Sequence, residues 1–131
     1  TPEEVLTNFR YAYTFRDSLV YADLLDSSFQ FIYIDYETEQ PTSDHWGRDE
    51  DIRTTVRMFR HFQSLDLVWG ETSSKVYLTE DSSRVELKKT FQLTLDGGNE
   101  IPSLSGWALF TFVKKNSGVW KIMRWDDLST I

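Results

Sequence analysis

Phe9-Arg10-Tyr11-Ala12-Tyr13, followed by Asp17, Tyr21, Leu24-Leu25-Asp26 and Phe29, is the stretch that decides the fold. An aromatic or aliphatic anchor recurs about once per helical turn. The stretch reads as a helix running into a second, shorter helix and then a strand. Its start is well marked: Thr1 caps, Pro2 suits the first helical position and Glu4 completes a capping box. Val5, Leu6, Phe9, Ala12, Tyr13 and Arg16 follow at helical spacing and define one buried stripe. Asp17 or Ser18 then caps the second helix, Leu19 to Leu25, with Leu19, Val20, Leu24 and Leu25 as its apolar positions.

From Phe29 to Asp35 the chain alternates as a strand, with Phe29, Phe31 and Tyr33 on one face. Residues 36–47 are polar and turn-rich and read as irregular, closed by His45 and Trp46. Asp49-Glu50-Asp51 places acids in the first turn of a third helix, where they meet its positive end. Ile52, Val56, Phe59 and Phe62 form its expected core stripe, and Arg53, Arg57 and Arg60 a separate basic one. Then the period changes to two. Leu65 to Leu78 is a strand bent at Gly70, and Arg84 to Leu95 carries Val85, Leu87, Phe91, Leu93 and Leu95 on one face, interrupted by Lys89. Lys89 is expected to snorkel to a rim or to be turned outward by a bulge. Gly106 to Lys114 is apolar on both faces, so both faces should be covered. Asn116-Ser117-Gly118 turns the chain into a last strand, Val119-Trp120-Lys121-Ile122-Met123-Arg124-Trp125-Asp126.

Helices first, a long twisted sheet after, and a Trp-x-Ile closing strand resemble the NTF2-like superfamily, including its SnoaL-like and ketosteroid-isomerase-like branches. The resemblance covers nearly the whole chain as an architecture. It implies an α+β cone: three N-terminal helical segments packed on a curved, mostly antiparallel sheet, as a single domain over residues 1–131. This fold hosts isomerases, cyclases, dehydratases, hydrolases and domains without chemistry, so architecture does not name an activity.

Size and composition narrow the classes. The 131 residues are enough to bury a core without staples, and the 15% aromatic share predicts an unusually aromatic interior or pocket. With no cysteine, disulfides, thiolate catalysis and cysteine zinc sites are excluded. No run is long and apolar enough to span a membrane. The net charge of −7 argues against nucleic acid and anionic membranes as main partners. The chain begins at Thr1 and not Met, which leaves an exported or lipoprotein-derived mature domain open alongside a cytoplasmic one.

The resemblance also directs attention to particular residues. The family's Trp-x-Ile pattern turns the isoleucine inward, so strand parity is expected to place Ile122, Arg124 and Asp126 in the cone and Met123 and Trp125 outside. In SnoaL-like cyclases an acid on this strand is the general acid/base. The carry-over makes Asp126 the candidate catalytic residue with Arg124 beside it, against a plain structural ion pair. A ketosteroid-isomerase set would use a helix-one tyrosine and an acid near the first strand. Tyr13 and Asp35 stand there, but a second acid on Gly106 to Lys114 is missing. Arg124-Trp125-Asp126 has the spacing of a limonene epoxide hydrolase pair on a different strand. A scytalone dehydratase would need two pocket histidines, and only His45 and His61 exist. Tyr13, Tyr33, Asp35, Trp46, Phe59, Phe110 and Phe112 form the expected ligand-binding set. No metal and no cofactor are expected. The leading reading is a domain binding a hydrophobic or aromatic small molecule, without a complete catalytic set. The alternatives are an enzyme using Asp126 and a non-catalytic dimeric module. A homodimer through the outer sheet face, burying over about 1,000 Å², is expected because helices cover only one side.

Overall fold

The computed structural model describes residues 1–35 and 39–128. The chain runs α1 (Pro2–Phe15), α2 (Ser18–Leu24), β1 (Leu25–Asp35), β2 (Thr42–Gly47), α3 (Arg48–His61), β3 (Ser64–Tyr77), β4 (Arg84–Asp96), β5 (Ser103–Lys114) and β6 (Trp120–Asp127). The six strands form one sheet in the order β2-β1-β6-β5-β4-β3, antiparallel except where β1 lies parallel to β6. This is the expected α+β arrangement of three helices on a mostly antiparallel sheet.

Helix α1 starts with the capping box: the Thr1 hydroxyl accepts from the Glu4 backbone N–H, and Pro2 opens the helix. It ends at Arg16, which adopts a left-handed conformation at φ 51°. That conformation is uncommon for a side chain with a Cβ. The Arg16 guanidinium donates to the Phe62 carbonyl at 3.0 Å, so the corner is held from α3's far end. Asp17 then caps α2 through the Val20 N–H. In α2 the buried positions are Tyr21 and Leu24, while Leu19 is 82% exposed. Of the expected apolar positions Leu24 and Leu25 are buried and Val20 packs against the core, while Leu19 faces water and Tyr21 takes its place.

Residues 42–47 pair with β1 as a strand and are not irregular. Tertiary pairing overrides the polar, turn-like composition there. The part of the expected turn at 36–38 lies outside the described residues. In β3 the register slips between Trp69 and Ser74, around Gly70. A Cβ on Gly70 would stand 1.8 Å from the Thr90 hydroxyl, so the strand bends where only glycine fits.

The core lies between the inner sheet face and the helices. Val85, Leu87, Ala108, Phe110, Phe112 and Ile122 supply the sheet's share, and Leu6, Phe9, Ala12, Tyr21 and Phe59 the helices'. On the outer face Trp107 is 40% exposed under the Lys88 ammonium, 5.0 Å from the ring centre. No helix is long and apolar enough to cross a membrane.

Candidate functional site

The last strand does not keep a simple alternation. Phe112 pairs with Ile122, but the adjacent Thr111 pairs with Arg124, so Met123 is an extra residue in β6. A bulge of one residue inverts every later side chain. Ile122 faces inward as expected and is fully buried. Beyond the bulge Trp125 faces inward too, packing edge-on against Phe9 of α1 with ring centres 5.5 Å apart. Arg124 and Asp126 are consequently on the outer face. This corrects the expected facing of both, and Trp125 leaves the expected outer apolar set.

On that outer face Arg124 donates to both Asp126 oxygens, Nε to Oδ2 at 2.8 Å and an Nη to Oδ1 at 3.0 Å. Asp126 first, and Glu86 more distantly, hold the guanidinium charged more firmly than usual. The pair is a two-pronged clamp along one strand, half open to water. Asp126→Asn should cost under about 1 kcal/mol, as half-exposed ion pairs do, and leave aromatic binding at the inner face unchanged. Urea melts and a binding titration check both halves. A large loss of binding with intact stability would return Asp126 to the site.

The inner face carries a different constellation. Phe31 of β1 stacks on Trp46 of β2 at 4.9 Å and meets Trp125 edge-on at 4.9 Å. Tyr33 lies 5.1 Å from Trp46. Trp125 continues to Phe110 at 5.3 Å, and Phe110 to Trp69 at 5.6 Å. The rings thus form a belt across the sheet from β2 to β3. Its deep members, Phe9 and Phe110, are buried, and Phe31, Tyr33, Trp46, Trp69 and Trp125 are half-buried. The Trp69 indole N–H donates to the Leu6 carbonyl at 2.9 Å. The Trp125 indole nitrogen is buried with no hydrogen-bond partner among the described residues. The rings of Phe31, Phe110 and Phe9 surround the indole with centres 4.9, 5.3 and 5.5 Å from it.

One end of the belt touches a buried acid. Asp51, in the first turn of α3, is 3% exposed. Its Oδ1 accepts the Trp46 indole N–H at 2.9 Å and its Oδ2 accepts the Tyr21 hydroxyl at 2.5 Å. Burial pushes the Asp51 carboxyl up, and the bonds from Trp46 and Tyr21 offset only part of that. Burial and the neighbouring Asp51 also push the Tyr13 and Tyr21 hydroxyls up, so both phenols keep their protons. The result is a buried carboxyl gripped by two neutral donors, with the raised pKa that proton-transfer groups share.

Asp51 and Tyr21 were not singled out as site residues from the sequence. The first-turn acids have an adequate explanation in the helix dipole, which hid the one acid that turns inward. A signal was present: Asp51, Thr55 and Phe59 repeat at intervals of four, and all three are buried. The α3 stripe is centred on them, while the expected Ile52, Val56 and Phe62 are half-buried.

The expected ligand set divides. Tyr33 and Trp46 stand together in the belt, with Asp35 two residues beyond Tyr33 on the same strand. Tyr13 and Phe59 pack edge-on at 5.3 Å within the core, and Phe110 and Phe112 are fully buried. Tyr13, Phe59 and Phe112 belong to the core, and Phe110 is a buried member of the belt. Lys89 keeps its inward parity and reaches along the sheet to the Gly70 carbonyl at 3.3 Å, as a snorkelling lysine does. His45 and His61 are exposed on β2 and on the last turn of α3. Among the described residues no three His, Asp or Glu side chains are grouped to hold a metal.

No family model and no curated protein matches the chain. Solved structures do. A candidate dehydratase of the NTF2-like family from Streptomyces avermitilis superposes with a TM-score of 0.72 at 14% identity, covering 100% of this chain and 99% of that one. A candidate scytalone dehydratase from Novosphingobium aromaticivorans gives 0.79 at 17% identity, covering 98% and 81%. A ketosteroid isomerase-like protein from Erwinia carotovora atroseptica gives 0.69 at 14% identity, covering 98% and 94%. At these identities the likeness establishes the fold: the chain has the NTF2-like architecture.

Proposed function

From the NTF2-like fold as premise, we propose that this chain binds a flat, hydrophobic or aromatic small molecule against the inner-face belt. The observation that carries this is the mutual contact of Phe31, Tyr33, Trp46 and Trp125, all left half-buried although each could bury more area in a closed core. Aromatic walls with few polar groups are what small-molecule sites are made of. The dehydratase and isomerase-like names of the structural neighbours are in keeping with the reading.

Titration with 2-naphthol tests it through tryptophan fluorescence, since Trp46 and Trp125 both flank Phe31. Saturable quenching is expected, with Phe31→Ala weakening affinity about tenfold, as the loss of an aromatic contact of about 1.4 kcal/mol would do. Quenching without saturation, or equal affinity in the variant, would reject the belt as a binding surface.

A second reading has its own observation. If the domain performs acid–base chemistry, the group for it is Asp51 with Tyr21, whose carboxyl is buried and adjoins the belt through Trp46. A homodimer through the outer sheet face belongs to the proposal as well, with Trp107, Ile34 and Val68 as the exposed apolar area that it would cover.

A further inference from the structure

A second surface, on the opposite side of the helices from the belt, is unlike the rest of this acidic chain. Arg53, Arg57 and Arg60 lie at i, i+4 and i+7 on the outward face of α3, and all three are exposed. In a chain with 21 acids and 14 bases, arginines are expected to find carboxylates. Among the described residues these three have no carboxylate within salt-bridge distance. Beside them a cleft of about 290 Å³ opens between the α1–α2 corner and α3, lined by Phe15, Arg16, Ser18, Val56, Phe59 and Arg60. Phe15 is 64% exposed and meets the half-exposed Tyr11 at a tilt with ring centres 4.6 Å apart, and Leu19 next to Ser18 is 82% exposed. Exposed apolar rings that already contact one another and border unpaired arginines are a composition that surfaces away from partners avoid.

We propose that this surface docks an acidic amphipathic helix of a partner protein. Residues seven apart on a helix are separated by about 10.5 Å along its axis, so a partner helix lying alongside α3 can set carboxylates at the same spacing. Guanidinium groups suit that role because their fork matches a carboxylate with two hydrogen bonds. An apolar side chain of the partner then enters the cleft against Phe15 and Val56, in the helix-in-groove mode. The net charge of −7 weakens the approach of an acidic partner in general, so the arginine-bearing face is where it is favoured. It also disfavours an anionic lipid surface, which would have to lie against far more of the molecule.

The test uses the whole chain and a fluorescein-labelled synthetic peptide with glutamates at i, i+4 and i+7 and leucines on the adjoining face, read by anisotropy. Saturable binding that weakens with added salt is expected. Arg57→Glu with Arg60→Glu should reduce affinity at least about tenfold, and Phe15→Ala by a similar factor. All three positions are exposed, so circular dichroism and melting should match the parent. Arg10→Glu, on the outer side of α1, serves as a charge-matched control and should change affinity by less than about twofold. Four outcomes would overturn the proposal: no saturable binding, equal loss in the control, stronger binding to phosphatidylserine vesicles than to the peptide, or self-association through this face in light scattering that Phe15→Ala abolishes.

Discussion

Phe9→Ala is expected to lower the unfolding free energy by about 3–5 kcal/mol and the melting temperature by on the order of 10 °C. Phe9 is 1% exposed and touches Tyr13, Tyr21, Trp69, Phe110 and Trp125 with ring centres between 4.9 and 5.9 Å. It therefore joins α1 and α2 to three strands. Its five partners are themselves large, pinned by backbone and by each other, and collapse poorly into the space an alanine leaves. Phe15, two turns further along the same helix, is 64% exposed, and its alanine variant should stay within about 0.5 kcal/mol of the parent. Thermal and urea melts of both variants check the contrast. A Phe9→Ala protein melting within about 3 °C of the parent would mean that the centre of the cone is not the packed plug that these contacts describe.

Asp51→Asn is expected to leave stability at neutral pH unchanged or raise it by about 1 kcal/mol, against the usual sign for a buried polar substitution. The Asp51 carboxyl is pushed up in the folded chain, chiefly by burial. The native state therefore holds the proton to higher pH than the unfolded chain does. Its contribution to stability is present in full below the ordinary value of 3.8 and is lost as pH rises through the raised one. Asparagine removes that loss while still accepting the Trp46 N–H. Asp26 supplies the opposite sign within the same molecule. Burial raises its pKa, but the Lys115 ammonium at 2.7 Å and two bonds from Ser28 outweigh it and bring the carboxyl down to about 2. Its contribution is present above 3.8 and fades as pH falls toward about 2. Urea melts between pH 2 and pH 8 (about six pH units, wide enough to span both shifts) separate them. Asp51→Asn should flatten the decline on the rising side, and Asp26→Asn the decline on the falling side. If Asp51→Asn loses more than about 2 kcal/mol at neutral pH, the carboxylate is a structural anchor and the acid–base reading goes with it.

The architecture was readable because its signals are local. Thr1, Pro2 and Glu4 state a helix start by their chemistry, and the change from the helical period of about 3.6 to a period of two after Phe62 divides helices from sheet. What was unreadable depended on distant pairing. Thr42-Ser43-Asp44 has turn composition and becomes a strand only because Tyr33, Ile34 and Asp35 offer it an edge. Met123 is an ordinary apolar residue in an alternating run, and nothing in such a run announces that β5 will skip it. The candidate site inherited both difficulties. Tyr33 and Trp46 were reachable as aromatics flanking a polar segment. Plain alternation places Trp125 outside and Arg124 and Asp126 inside, one count away from where the bulge puts them. Asp51 was concealed among neighbouring acids that do face water.

Met123 has a larger meaning for chains of this shape. Were Met123 paired with Thr111 and not skipped, β6 would alternate without a break. The carboxylate and guanidinium two and four letters from the strand's end would then look toward Phe9 and Phe31, and the last indole would look outward. The chemical temperament of the interior, oily or ionic, is thus governed by whether a count is odd or even, and not by which letters are spelled. Alignments that match letter to letter would place a bulged and an unbulged chain side by side without a gap while their interiors had traded contents. In this architecture one residue skipped in pairing decides the facing of everything downstream of it.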